Sequence, residues 1–216
     1  MLVYLGCFVC SFLLGSVPWG LVISKVFYKK DLRSEGSGNI GTTNAIRSMG
    51  KVGGYAVFVL DFGKGLLSAF LATLAAGWAA GGGAVDESVL KLCVALSFAG
   101  CVWGHIFSPW LGFKGGKGIA VAIGNLFITF GVVGAIIELA IFIVLVPTTK
   151  YVSVGSIASA LACPFLALYF FWGHWLAWAF VAAGGLTVVW AHRENIARLR
   201  AGTERRVGSK KESSGA

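Results

Sequence analysis

The chain is predicted to be all-α, a polytopic membrane helix bundle of seven transmembrane helices with the N-terminus out and the C-terminus in. Three observations carry this. Hydrophobic residues make up 57% of the 216 and charged residues only 12%, with a mean hydropathy of +0.81. A soluble domain carries about 25% charged residues, so half of the usual solvating surface is missing. The apolar residues also fall in runs long enough to cross the roughly 30 Å core of a bilayer. Finally, Lys and Arg gather in alternate loops, as the positive-inside rule expects of cytoplasmic segments. The length suits one bundle without a second sizeable domain: an integral-membrane domain over 1–197 and a basic cytoplasmic tail over 198–216.

The first span runs from Leu2 to about Ile23. It lacks the basic start and small-residue cleavage site of a signal peptide and is read as retained. The second runs from about Val52 to Trp78 and contains Asp61 and Lys64, three residues apart and able to pair as structural glue. A third covers Val89 to Phe107, with His105 near its end. The run from Gly118 to Pro147 holds one charge, Glu138. The last two spans, Val154 to Phe171 and Trp175 to Ala191, are parted by Trp172, Gly173 and His174. Trp172, Trp175, Trp178 and Trp190 suit the aromatic belts at membrane interfaces.

The basic loops lie at Lys25 to Lys51, Lys114 to Lys117, Lys150, and Arg193 to Lys211, whereas the loop GGGAVDES is acidic. All of the basic loops can be cytoplasmic only if the run from Gly118 to Pro147 crosses an even number of times. One helix needs about 20 residues to span, so this run is expected to form two short or tilted helices turning near Gly131 and Gly134, or a re-entrant hairpin. Glu138 then lies within the membrane, facing protein or water rather than lipid. The net charge of +9 reflects this asymmetry and attraction to anionic headgroups. Basic residues scattered over membrane loops do not make a nucleic-acid surface. The five cysteines fall inside apolar runs and read as small buried side chains, not as disulfide or zinc ligands. The segment Arg198 to Lys211 reads as a solvated, lipid-facing tail.

Three polar segments could carry chemistry. DLRSEGSGNIGTTNAIRSMGKVGG sets Ser37, Asn39, Thr42, Thr43 and Asn44 among glycines, with Arg47 just beyond. Glycines can turn backbone N–H groups toward one point, small polar side chains add donors, and Arg adds a bidentate fork. The segment reads either as an anion-binding loop or as a flexible surface loop. GHIFSPWLGFKGGKG places Lys114, Gly115, Gly116 and Lys117 before an apolar helix whose N-terminus offers unpaired N–H groups. It is a phosphate cradle or a headgroup anchor. AHRENIARLRAGTE leaves the last span with Glu194 and Asn195, and Glu194 can pair with Arg198 one turn on. His105 shares an exit with these groups and reads as a catalyst or an interhelix hydrogen-bonding residue, while His174 falls at the opposite face.

GSGNIGTTN, GHIFSPWLGFKGGKG and HRENIARL, in this order, resemble the three signature motifs of bacterial glycerol-3-phosphate acyltransferases that use acyl phosphate. GSVPWGLVISK and YVSVGSIAS are similar to that family as well, and the resemblance runs from Leu14 to Glu204. It implies an enzyme of the bacterial inner membrane with its active site facing the cytoplasm, seven spans and an outward N-terminus. The implied reaction moves a long-chain acyl group from acyl phosphate to the 1-hydroxyl of sn-glycerol 3-phosphate, giving lysophosphatidic acid and inorganic phosphate, the first acylation of phospholipid synthesis. Acyl-CoA and acyl-carrier protein are not donors, and no cofactor or metal is implied. The soluble enzyme that forms acyl phosphate is a possible partner.

Carried over by position, the catalytic residues are Ser37, Arg47, His105 and Ser153. Asn39, Thr43, Asn44, Lys114, Gly115, Gly116, Lys117, Glu194 and Asn195 bind substrate and phosphate. Thr42 departs from the alanine usual in the family. The hydroxyl proton goes either to His105 or to a phosphate oxygen of the donor. Acyl phosphate is already activated, so catalysis can rest on proximity and charge stabilisation. The rival reading is a transporter of a phosphate-containing anion, which should hold its site near the bilayer midplane and show internal repeats. No repeat is evident.

Overall fold

The structure is a computed structural model that describes residues 1–208. Lys210 and Lys211, assigned above to the tail, lie outside the described residues. Secondary structure among those residues is helical throughout. Helix α1, Leu2–Ser16, stops at Val17, which is extended (φ −61°, ψ 117°) because Pro18 lacks an N–H and excludes the helical conformation from the residue before it. Helix α2, Trp19–Tyr28, resumes the same path, so this span reaches Tyr28 rather than Ile23.

Helix α3, Thr42–Ala79, has 38 residues, about 57 Å and nearly twice the thickness of a bilayer core. It breaks at Gly50 (φ 78°, ψ −177°), where only glycine is unstrained. The expected second span is therefore the part of α3 beyond this break. Its first two turns, with Thr42, Thr43, Asn44 and Arg47, are helical rather than part of the expected polar loop. Helix α4, Glu87–Ile106, is capped by Asp86, whose carboxylate accepts the N–H groups of Ser88 (2.8 Å) and Val89 (3.2 Å). It is the central helix and packs on α1, on α3 and on two of the helices that follow.

A short 3₁₀ turn, Pro109–Leu111, leads to α5, Ile119–Thr129. The chain reverses at Phe130 and Gly131 (φ 70°) into α6, Gly131–Thr149. The run from Gly118 to Pro147 is thus two helices, with the turn at the first of the two glycines expected. Helices α7, Val152–Phe170, and α8, Trp175–Ala191, follow, and α9, Arg193–Arg200, continues from α8 after a 48° bend. Among the described residues five segments are long and apolar enough to cross a membrane, or six if α8 and α9 count as one, and α5 is shorter.

Close helix packing relies on small residues. A Cβ on Gly65 of α3 would lie 2.1 Å from Val121 O, and one on Gly124 of α5 would lie 2.1 Å from Phe62 O. Each helix backbone thus needs the other's missing side chain, the small-residue logic of membrane helix pairs. Outside, Leu5, Leu13, Phe70, Leu74, Ile136, Val144, Phe165 and Leu186 are exposed. So broad an apolar girdle fits lipid, not water. This is an integral membrane bundle.

Contacts between the basic segments put them at one end. Val207 N donates to Lys150 O (2.8 Å), Arg205 Nη2 to Gly36 O (3.3 Å), and Ser153 Oγ to Glu204 (2.8 Å). His174 and Glu87, 4.0 Å apart, meet at the other end.

Candidate active site

A cavity of about 880 Å³ enters the bundle from the basic end. Its mouth is polar and its depth is walled by Phe62, Phe98, Leu126, Phe127, Leu139 and Phe142. Helices α3 and α6 both pack on α5 but scarcely on each other, so the apolar part lies in the cleft between them. Tyr55 and Phe58 line it and are also exposed on the outer face of α3.

The first polar loop is tied down by Asn44, 2% exposed. Its Nδ2 donates to the carbonyls of Leu32 (3.1 Å), Glu35 (3.0 Å) and Asn39 (2.8 Å), and its Oδ1 accepts Ser37 N–H (2.9 Å). Asn39 Oδ1 accepts Gly41 N–H (2.9 Å). Below them Asp31 holds Arg33 at 2.7 Å and Lys25 at 3.5 Å. These hydrogen bonds hold the Asp31 carboxyl well below the usual range. Asn44 and Asn39 therefore shape the loop, so it is not a flexible surface segment. Ser37, Thr43 and Arg47 are left facing the cavity. Arg47 sits on the first turns of α3, where helical geometry aims it at the mouth.

The second segment behaves differently from the expected cradle. Gly115 N donates to Ile106 O (2.9 Å) and Gly116 N to His105 O (3.1 Å). Their amides cap α4 and are not free for an anion. A Cβ on Gly115 would fall 2.0 Å from His105 O, and one on Gly116 2.1 Å from His105 Nε2, so these glycines serve close packing. Gly112 (φ 59°) and Phe113 (φ 62°) turn Lys114 outward, where it is exposed and away from the cavity. The start of α5 offers amides instead, since Ile119 and Ala120 line the mouth and first-turn N–H groups have no partner within a helix.

Lys117 does face the cavity and donates to Asn195 Oδ1. Burial, followed by repulsion from Arg198, pulls its ammonium down to about 8. The third segment carries a second correction. Glu194 is exposed on α9 and makes no ion pair with Arg198 among the described residues. Gly202 (φ 70°) ends the turn after α9 and sends the chain back, bringing Glu204 to the cavity. Glu204 Oε1 accepts from Ser153 Oγ (2.8 Å) and Asn195 Nδ2 (2.6 Å), and Oε2 from Arg198 Nε (2.7 Å). Burial alone would raise this carboxyl, but the hydrogen bonds from Asn195, Arg198 and Ser153 hold it below its ordinary value. Glu204, Arg205 and Val207, expected as solvated tail, thus line the cavity. The signal was present in the sequence: Arg200-Ala201-Gly202 is a helix end with a glycine C-terminal stop, which announces a reversal.

Two histidines flank the cavity. His105 is 4% exposed, and its Nδ1 lies 2.9 Å from Lys64 Nζ. Lys64 also reaches Asp61 (2.8 Å) and donates to Val17 O (2.8 Å), a carbonyl freed where Pro18 breaks the first span. An ammonium has donors only, so Nδ1 is the acceptor and the ring proton belongs on Nε2, beside Gly116. The expected pairing of Asp61 with Lys64 is present, and it serves His105 as well. His192, 3% exposed, has Nδ1 2.8 Å from Val188 O. A carbonyl accepts, so here the proton is on Nδ1 and Nε2 carries the lone pair. His192 was not among the expected site residues; the i,i−4 spacing to Val188 in a helix end is its only local signal.

Of the expected residues, Ser37, Asn39, Thr43, Asn44, Arg47, His105, Lys117, Ser153 and Asn195 line one cavity. Lys114, Gly115, Gly116 and Glu194 do not. Missed lining residues with polar groups include His192, Arg198, Glu204 and Arg205 at the mouth and Glu138, Ser156 and Ser159 deeper in.

Fold and cavity together define a polytopic membrane protein built to hold an amphiphile, with a cationic mouth over an apolar trench. The chain belongs to the glycerol-3-phosphate acyltransferase family, whose model matches residues 5–202. It is 37% identical over 209 residues to a glycerol-3-phosphate acyltransferase of Rhodopseudomonas palustris strain HaA2, covering 97% of this chain and 98% of that one. A namesake from Listeria monocytogenes strain EGD-e is 36% identical over 197 residues, with 91% and 93% covered. Two crystal structures of PlsY (YgiH), an integral membrane glycerol 3-phosphate acyltransferase, share the fold. The glycerol 3-phosphate form has a TM-score of 0.78 at 34% identity, covering 95% of this chain and 96% of that one. The lysophosphatidic acid form has a TM-score of 0.78 at 33% identity, covering 95% of each chain.

Proposed function

We propose that this protein acylates the 1-hydroxyl of sn-glycerol 3-phosphate with a long-chain acyl group from acyl phosphate, giving lysophosphatidic acid and inorganic phosphate. The observation that carries the reading is the cavity itself: Arg47, Lys117, Arg198 and Arg205 at its mouth and a largely apolar wall below. Two phosphorylated reactants need two anion contacts, and one of them needs a trench for its tail. The names of the relatives and the glycerol 3-phosphate and lysophosphatidic acid forms of the similar structure support this acceptor and this product.

Arg47 and the α5 amides hold phosphate oxygens. Lys117, set by Asn195 and Glu204, neutralises the second phosphate. The acceptor hydroxyl oxygen attacks the acyl carbonyl carbon, the carbon–oxygen bond to phosphate breaks, and phosphate leaves. His105 Nε2–H donates to a substrate oxygen, the use left to a ring whose other nitrogen is occupied. It is not the base. His192 Nε2 accepts from the acceptor hydroxyl and orients it, and the hydroxyl proton ends on a phosphate oxygen of the donor. Holding both reactants in line accounts for most of the acceleration such a donor needs. Ser37 and Ser153 complete the polar wall.

The same reading places the basic end in the cytoplasm of a bacterial inner membrane, with α5 as the seventh crossing and a catalytic domain that runs past the expected boundary at residue 197 to include Glu204. Acyl-CoA and acyl-carrier protein are not donors, and the soluble enzyme that makes acyl phosphate is the partner that would dock at the mouth. Purified protein given palmitoyl phosphate and glycerol 3-phosphate should release phosphate in step with lysophosphatidic acid. Binding and vesicle transport of glycerol 3-phosphate without any acyl transfer would favour the transporter instead.

A further inference from the structure

One acidic side chain in the trench has no part in this chemistry. Glu138 of α6 is 3% exposed and lines the cavity, and its Oε1 has no hydrogen-bond partner among the described residues. Its backbone carbonyl accepts from Ser159 Oγ (3.1 Å), which fastens α6 to α7 at this level. Ser156, 3% exposed, and Ser159 line the same stretch between Leu139 and Phe142. Six helical residues separate Ser153, at the mouth, from Ser159, so this level lies about 9 Å deeper.

A buried carboxyl without a partner is costly, and native interiors almost always satisfy such a group. Here the carboxyl borders the cavity, so a polar group on whatever fills that cavity can supply the missing partner. A plain hydrocarbon chain threading past would strand the carboxyl against methylenes. A chain with a hydroxyl at that depth would donate to Glu138 and accept from Ser156. Polar sites discriminate strongly on such a group, whereas apolar pockets barely notice one methylene more or less.

We propose that Glu138 and Ser156, held in place by Ser159, form a subsite in the acyl trench that takes a hydroxyl carried near the middle of the acyl chain. The inference rests on the acyl-transfer reading and adds to it a class of donor, a hydroxylated long-chain acyl phosphate.

The test compares stearoyl phosphate with a positional series of hydroxystearoyl phosphates on wild type, Glu138→Leu, Glu138→Gln and Ser156→Ala, each checked for folding by thermal unfolding in detergent. In wild type one mid-chain isomer should exceed stearoyl phosphate in kcat/KM, and isomers hydroxylated near either end should not. Glu138→Leu should lower the hydroxylated-to-plain ratio for that isomer by about ten- to one-hundred-fold, Ser156→Ala should lower it less, and Glu138→Gln, which still accepts, should keep it. A ratio that Glu138→Leu and Ser156→Ala leave unchanged would overturn the subsite and mean that water alone satisfies Glu138. Turnover of stearoyl phosphate with no preference at any position would do the same while leaving acyl transfer standing. If no donor is used by well-folded protein, both readings fall together.

Discussion

Lys64 offers the sharpest test of how this site is held. Its Nζ is shared by Asp61 (2.8 Å), His105 Nδ1 (2.9 Å) and Val17 O (2.8 Å), and both charged partners are almost fully buried. Lys64→Met removes the ammonium but keeps most of the volume. Asp61 is then an uncompensated buried carboxyl, which costs about 3–5 kcal/mol when one partner of a buried pair is deleted. For a chain of this length that lowers Tm by on the order of 10 °C. Asp61→Asn with Lys64→Met deletes both charges and should recover more than half of the loss, a coupling that only a double-mutant cycle isolates. The cycle is read by thermal unfolding in detergent micelles. Acyl transfer provides a second readout, because His105 in Lys64→Met is free to move its proton to Nδ1 and so to lose the Nε2 donor. ¹⁵N shifts of the His105 ring report that change directly. Additive losses across the cycle, or a wild-type His105 ring protonated on Nδ1, would refute the reasoning.

Arg47→Ala should lower kcat/KM by about a hundredfold, the value of a charged hydrogen bond to an anion, with Tm within a few degrees of wild type; rates near wild type in a folded variant would remove Arg47 from the phosphate site. KM for glycerol 3-phosphate should rise as pH passes above 8, because the Lys117 ammonium, drawn down to about 8, loses its charge there. Lys117→Arg should abolish that rise, and an identical pH profile in both proteins would contradict the assignment. Glu204→Ala leaves Ser153, Asn195 and Arg198 without their shared acceptor and should cost both stability and activity, whereas Glu194→Ala, at an exposed position, should change Tm by less than about 2 °C. Because hydrogen bonding depresses the Glu204 carboxyl, its contribution is complete above the ordinary carboxylate range and disappears as pH falls through the lowered value. Wild type should therefore be the more stable protein at neutral pH, and its advantage over Glu204→Gln in Tm should shrink as pH falls through the carboxylate range.

The membrane class, the helices and most of the site were legible because composition and spacing are local properties. The stretch from Val52 to Phe107 can be parsed from hydropathy alone, and Gly131 announces the reversal inside the run that has to cross twice. Element starts were less legible. Nothing polar in Thr42 to Ser48 distinguishes the first turns of a helix from a loop, and the break at Gly50 shows only as a backbone angle. Lys114 and Lys117 look alike in the sequence, three residues apart in a run of glycines, yet one points away and the other into the cavity.

What the chain determined by itself was where it meets lipid, which loops carry positive charge, and which residue types could hold a phosphate, since each follows from the side chains in order along the backbone. Tertiary structure alone decided which donors are already used. The amides of Gly115 and Gly116 close the end of α4, Asn44 is spent on three carbonyls of its own loop, and Lys64 reaches from another helix to fix the tautomer of His105. Glu204 displaced Glu194 for the same reason: a hydrogen bond depends on distance and direction, and those are set by how helices pack, not by how residues are spaced.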